Sequence, residues 1–243
     1  MLRSFTITAL LGTLFIHSSA LARDSEQSPQ STAMEIRFGF FSPGIDSEFK
    51  GGATPYEDAF GADSAWMLSA QLDYQFWHGF GSLGVFGMAG YGSVTGKGLL
   101  ADGERSSDET ALVLFPFTGG LVYRFDVLAT RYGIPLALAL KGGVDYWIWR
   151  IDDGNEDTSK FKGADGSSKE ALGGTFGLYG AVGIYLLLDF FEPHAAAIFD
   201  NDLGVNNSYF FVEWAAHWID DFGSTKSFDL SDGGLVFGLA FEM

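Results

Sequence analysis

The chain has no cysteine among its 243 residues, which removes disulfide frameworks, thiolate nucleophiles and cysteine-based metal sites together. Basic residues are scarce: 14 Lys and Arg stand against 31 Asp and Glu, a formal net charge of −17. A surface of that sign repels phosphate backbones, so DNA and RNA are excluded as partners. Beyond the N-terminus, long apolar runs are missing too. The longest, 112–117 and 185–188, fall far short of the roughly 20 residues a spanning helix needs. Any crossing of a bilayer must be made by strands.

What is present fits that reading. Hydrophobic residues make up 47% of the chain, with 24 Phe and 33 Gly, enough to bury a substantial core as one domain. At the N-terminus Arg3 precedes the apolar stretch Phe5 to Ile16, and Ala20-Leu21-Ala22 supplies small residues at a cleavage spacing. Residues 1–22 are expected to be a signal peptide, residues 23–33, polar and containing Pro29, a flexible lead-in, and residues 34–243 the folded domain.

Eight strand-like segments follow, near 34–42, 65–76, 81–94, 109–126, 135–150, 169–188, 206–219 and 233–242. Their connections alternate. Residues 43–64, 95–108, 151–168 and 220–232 are long and acidic or glycine-rich, whereas 77–80 and 127–134 are short. Long loops on one side and short turns on the other are the signature of an up-and-down transmembrane barrel. The predicted fold is all-β: an eight-stranded antiparallel barrel with a short helix, beginning at Pro193, in the connection 189–205 between the sixth and seventh strands.

Side-chain parity separates two faces. In the second strand Trp66, Leu68, Ala70, Leu72, Tyr74 and Phe76 oppose Ser69, Gln71, Asp73 and Gln75; in the seventh, Phe210, Val212, Trp214, Ala216 and Trp218 oppose Tyr209, Glu213 and His217. A soluble barrel would turn the apolar face inward. Small residues on the polar face, such as Gly84, Gly143, Gly177 and Gly183, suit a narrow lumen, and aromatic residues near the strand ends of the other face suit membrane interfaces. The lumen should therefore hold Glu35, Arg37, Asp73, Arg124, Lys141, Asp145, Glu213, His217 and Glu242. Both signs are represented, so these residues are expected to pair and brace the narrow interior.

Chemistry is less visible. Glu213 and His217 lie four residues apart on one strand face, about 13 Å in extended geometry, too far for a dyad, and the sequence identifies no catalytic residue. Gly96-Lys97-Gly98 lacks the remainder of a phosphate loop. Asp200, Asp202 and Asn206 offer oxygen ligands at alternating spacing that would suit calcium, but without the glycine and late glutamate of an EF-hand loop; an Asx-rich turn accounts for the same residues. No other cofactor is expected.

The segment Phe191-Glu-Pro-His-Ala-Ala-Ala-Ile-Phe-Asp-Asn-Asp-Leu-Gly-Val-Asn-Asn-Ser-Tyr-Phe-Phe-Val-Glu-Trp214, together with Gly233 to Met243, resembles a family of predicted outer-membrane β-barrel proteins common in myxobacteria and related Gram-negative bacteria. The likeness covers residues 172–243. It implies fold and an outer-membrane location reached through the periplasm, and it implies no mechanism. The chain ends in Met243, with Phe241 two positions earlier, where many such proteins end in Phe or Trp. The expected partners are outer-membrane lipid and lipopolysaccharide, the barrel-assembly machinery during insertion, and an unidentified protein or envelope component at the loops. The expected role is structural or surface-interacting rather than enzymatic. A narrow channel is the alternative, which predicts water continuous past Asp73, Lys141 and Asp145. A lipid-modifying enzyme is the third reading and predicts a histidine with a serine or acidic partner on the lipid-facing surface.

Overall fold

A computed structural model of the chain describes residues 31–49, 51–61, 64–98, 104–155, 157–162, 167–224 and 227–243. The signal peptide expected at 1–22 and most of the lead-in lie outside the described residues. Eight long strands close into an antiparallel barrel: β1 (Thr32–Phe41), β2 (Ala65–Gly79), β3 (Gly81–Gly96), β4 (Thr110–Phe125), β5 (Leu136–Asp152), β8 (Leu172–Leu187), β9 (Asn207–Trp218) and β10 (Asp232–Glu242). Each pairs with its neighbour in chain order, and β1 pairs with β10 to close the ring. Closure leaves no strand edge open to solvent or lipid. Two short strands, β6 (Lys160–Lys162) and β7 (Ser168–Glu170), form a separate hairpin in the connection between β5 and β8.

Alternating burial runs along the barrel strands, with the polar side chains inward through the apolar band. On β5 the exposed Leu138, Leu140, Val144 and Tyr146 alternate with buried Ala137, Ala139, Lys141, Asp145 and Trp147. Leu140 and Val144, near 60% exposed, point outward while a lysine and an aspartate are sealed within. That inversion of the usual globular pattern is stable only if hydrocarbon surrounds the wall. Strands β2 to β5 and β8 have 15 to 17 residues, more than the roughly 9–11 a tilted strand needs to cross.

Several expected boundaries shift. Thr32 already belongs to β1, and the backbone N–H groups of Ser31 and Thr32 both donate to Met243 O, so the end of the lead-in is tied to the last residue of the chain. Strand β2 continues to Gly79 through an irregularity between Gln75 and Trp77, and the turn into β3 contracts to Phe80. Residues 127–134 contain the helix α2 (Val127–Tyr132), and β8 starts at Leu172 because 168–170 belongs to the loop hairpin. Within the wall, the β3/β4 ladder is interrupted opposite Pro116, which has no N–H to contribute.

The helix expected at Pro193 is α3 (Pro193–Leu203), which extends past Ile198 to a left-handed Gly204. It lies on the rim against β9 and the preceding 3-10 turn Leu188–Phe190. Asp189 Oδ1 accepts the Ser208 N–H at 3.2 Å, which helps hold this connection against the barrel. Asp200 and Asp202 sit two positions apart in the last turns of α3, about 200° around its axis, while Asn206 is buried below the strand end, its N–H donating to Glu242 O. Among the described residues no cluster of three or more His, Cys, Asp or Glu is placed to hold a metal.

Candidate functional site

Strand parity brings the nine ionisable residues named from the sequence into one lumen. Six of the eight barrel strands contribute one or two each: Glu35 and Arg37 from β1, Asp73 from β2, Arg124 from β4, Lys141 and Asp145 from β5, Glu213 and His217 from β9, Glu242 from β10. All are buried except His217, whose side chain keeps 12% exposure. Three cations face four carboxylates in a continuous web. Arg37 donates to Glu35 at 2.7 Å and to Glu213. Lys141 bridges the same two acids, at 2.6 Å to Glu35 and 2.7 Å to Glu213. Arg124 reaches Glu242 at 2.7 Å, Glu35 at 3.0 Å and Asp73 at 3.2 Å.

Neutral groups complete the web. Gln71 donates to Asp73 at 2.7 Å and accepts from Arg37 and Lys141. The Tyr185 hydroxyl lies between Glu213 at 2.6 Å and Glu35 at 3.0 Å. Tyr209 and Asn207 donate to Glu242, and Tyr179 accepts from Arg37. The cations also lie over aromatic faces, Arg37 above Phe211 at 5.4 Å and Arg124 above Tyr185 at 5.2 Å, contacts that gain strength away from water. Sequence reasoning put Tyr209 on the inward face but missed Tyr179 and Tyr185, because aromatic side chains count as apolar in a periodicity reading, although Tyr185 shares a face with Gly183 and Ala181.

Gly183 shows how closely the wall is fitted. A Cβ there would fall 2.4 Å from Glu213 Cγ and 3.2 Å from the Tyr185 ring, so the missing side chain is the space Glu213 occupies. Gly183→Ala is expected to displace Glu213 from Arg37 and Lys141 and cost about 1–3 kcal/mol. The measurement is the urea midpoint of the barrel in lipid vesicles, and an unchanged midpoint would show that the lumen yields.

Toward the long loops the web passes into a second group. Asp145 accepts from Thr118 at 2.6 Å, and its other oxygen lies 2.8 Å from His217 Nδ1. The His217 ring packs on Trp147 and Tyr179, both with centroids 5.0 Å away. This histidine and its acid face the lumen, not the lipid surface the enzyme reading requires. A cavity of about 40 Å³ bordered by Arg37, Ser69, Trp147 and His217 has room for on the order of one to three water molecules.

Above this level the lumen is stoppered by an apolar cluster that joins wall to loops: Phe41, Leu112, Leu114 and Trp147 from strands, Ile45, Tyr56 and Phe60 from the first loop, and Ile219 and Leu230 from the last. The loops are held in place by their own acids. Asp46 accepts the N–H groups of Tyr56 and Glu57 at the start of α1 (Pro55–Phe60). Asp229 links the last loop to the first by accepting from Ser47 Oγ at 3.1 Å, and it also accepts from Ser231 N. Arg105 donates to Asp58 O and Lys97 O, which ties the second loop to α1. In the third loop Asp153 accepts from Asn155 N and Asp157 N. Acidic residues of the long loops thus cap and cross-link the outward face.

Wall, lumen and rim together define an outer-membrane-type eight-stranded β-barrel with a sealed interior. No family model matches the chain, and no curated protein matches it. Among solved structures, Ail, the attachment invasion locus protein of Yersinia pestis, in complex with the heparin analogue sucrose octasulfate, aligns over 88% of this chain and 97% of its own at 12% identity and a TM-score of 0.43. The outer membrane protein OprG from Pseudomonas aeruginosa aligns over 90% and 99% at 15% identity, TM-score 0.43. The N-terminal β-barrel domain of Pseudomonas aeruginosa OprF aligns over 88% and 98% at 9% identity, TM-score 0.37. Likeness at this level transfers no residue role or activity.

Proposed function

We propose that this chain is a non-conducting outer-membrane barrel whose work is done on its outer surface, with the lumen serving as a fixed brace. The observation that carries the reading is the sealed interior. Asp73, Lys141 and Asp145, the residues a channel would hydrate, are each no more than 3% exposed and are bonded to neighbouring side chains. The aromatic and aliphatic stopper lies between them and the loops. An eight-stranded barrel has a cross-section its own side chains can fill, and here they do. The cross-linked outer loops favour a surface role, because a rigid, charged rim presents a defined face to a partner at little ordering cost. In this reading the chain is exported through the periplasm, is inserted by the barrel-assembly machinery, and lies among outer-membrane lipid and lipopolysaccharide.

The test is single-channel recording in planar bilayers, with insertion verified independently by protease protection. The inserted protein is expected to show no discrete conductance steps. Steps in the wild type that change in Asp73→Ala and Lys141→Ala would establish a lumenal path and replace this reading with the channel.

A further inference from the structure

The outer wall of β3, β4 and β5 carries two depressions, one above the other on the same strand faces. The lower lies within the apolar band. Gly87 and Gly119 stand directly opposite each other across the β3/β4 ladder, and both belong to a shallow groove of about 580 Å³ bounded by Leu72, Phe117, Val144 and Phe176. A Cβ at Gly87 would meet nothing within 4 Å, and one at Gly119 only Phe86 O at 3.8 Å. Neither glycine is required by a tight backbone contact, so their absent side chains leave a notch facing the bilayer.

The upper depression begins where the apolar band stops. Past Tyr91 the outward positions of β3 become Ser93 and Thr95, and past Ile148 those of β5 become Arg150 and Asp152. With Glu109, Thr110 and Asp153 they border a cleft of about 340 Å³, at the lower end of the roughly 300–1,000 Å³ typical of ligand pockets. Asp152 is 4% exposed. Its Oδ2 takes Arg150 at 2.9 Å, whereas among the described residues its Oδ1 has no hydrogen-bond partner, nor has Arg150 Nε. A buried carboxylate oxygen left unmatched is unfavourable, and because Asp152 lines the cleft, a turn of the Arg150–Asp152 pair toward a ligand donor there would satisfy it.

We propose that this wall binds one glycolipid of the outer leaflet, with an acyl chain across Gly87 and Gly119 and a sugar headgroup in the cleft above. The chemistry of the cleft selects the headgroup. Three carboxylates, Glu109, Asp152 and Asp153, outnumber the single Arg150, so hydroxyl and amine donors are favoured and phosphate or sulfate is disfavoured. Ser93, Thr95 and Thr110 supply further hydroxyl partners. Tyr91, 39% exposed and packed edge-on to Phe115, marks the level where chain gives way to headgroup. The inference rests on the reading that this face lies in the membrane, but it is independent of whether the lumen conducts.

The experiment is native mass spectrometry of the folded protein released from mixed micelles of phosphatidylethanolamine and glucosaminyl diacylglycerol, with folding checked by heat-modifiable gel mobility. The wild type is expected to retain one glucosaminyl lipid in preference to phosphatidylethanolamine. Asp152→Asn should lower that retention roughly tenfold or more, the size of a lost charge-assisted hydrogen bond. Gly119→Leu, whose Cβ would meet only Phe86 O at 3.8 Å and whose side chain would extend into the notch, should lower it as well. Thr95→Val gives a second headgroup variant if Asp152→Asn fails to fold. Free glucosamine at matched concentration should not displace the lipid, since it lacks the chain that fills the groove; displacement would overturn the lipid-borne site in favour of a sugar site alone. Equal retention of the two lipids by the wild type, or retention unchanged by both the cleft and the groove variants, would overturn the proposal outright. A conducting barrel that still retains the glycolipid would sink the sealed-lumen reading and leave this one standing.

Discussion

Glu35→Ala is expected to lower the unfolding free energy of the lipid-inserted barrel by about 3–5 kcal/mol, the cost of removing the shared partner of several buried ion pairs. Glu35 is fully buried and receives bonds from Arg37, Lys141, Arg124 and Tyr185, so its loss leaves three cations sharing Glu213, Glu242 and Asp73. None of the three can turn to water, because hydrocarbon lies outside the wall and the apolar stopper closes the loop end. Adding Lys141→Met to Glu35→Ala removes one charge of each sign and should recover part of the loss, a non-additivity expected of residues in one network. Urea unfolding followed by tryptophan fluorescence in vesicles measures both. A single-variant cost below about 1 kcal/mol would mean that water reaches the web and that the brace is not sealed.

Val144→Arg is expected to cost about 2–4 kcal/mol in lipid, the penalty for a cation near the midplane of a barrel wall. Val144 is 59% exposed, and the outward positions on either side of it on β5, from Leu138 to Ile148, carry no charge. Arginine at Leu172, at the loop end of β8, should cost only about 0–1 kcal/mol, because the interface lets the guanidinium reach water. In a water-soluble barrel both substitutions would be surface changes within about 0.5 kcal/mol. A flat response across the two depths would therefore remove the membrane from the account, whatever the strand order.

Strand count, parity and the inward set of charges were legible because a two-residue period survives in sequence wherever the two faces meet different solvents. Asp73 among Leu72 and Tyr74, or Glu213 beside Trp214, can point only one way in a wall with lipid outside. What escaped was everything that period does not govern. The end of β2 at Gly79 and the beginning of β8 at Leu172 depend on turn geometry and on a loop hairpin. The stopper is built from Ile45, Tyr56, Phe60 and Leu230, isolated apolar residues in acidic segments whose partners are far away in the chain. The helix α3 runs past its alanines into Asp200 and Asp202, which had read as a turn because Asx residues favour turns locally, whereas Gly204 provides the actual stop. The polar cleft escaped for the opposite reason: Arg150 and Asp152 follow the alternation of β5, and only the height of the wall shows that they stand above the apolar band.

Closing the ring is the step at which such a chain can go wrong. The seam between β1 and β10 has seven residue pairs, fewer than any of the other seven seams of the barrel, so backbone pairing alone specifies its alignment least. A shift of one residue in β1 would turn every side chain to the opposite face, sending Glu35 and Arg37 into hydrocarbon at about 2.5–3.5 kcal/mol each on insertion scales. Correct alignment instead lets them engage Lys141 on β5, Arg124 on β4 and Glu213 on β9, none of which is a neighbour of β1 in the ring. The interior charges thus specify alignment as well as stability: in the closed barrel β1 is matched to three strands beyond its neighbours, and a shifted register would forfeit those partners.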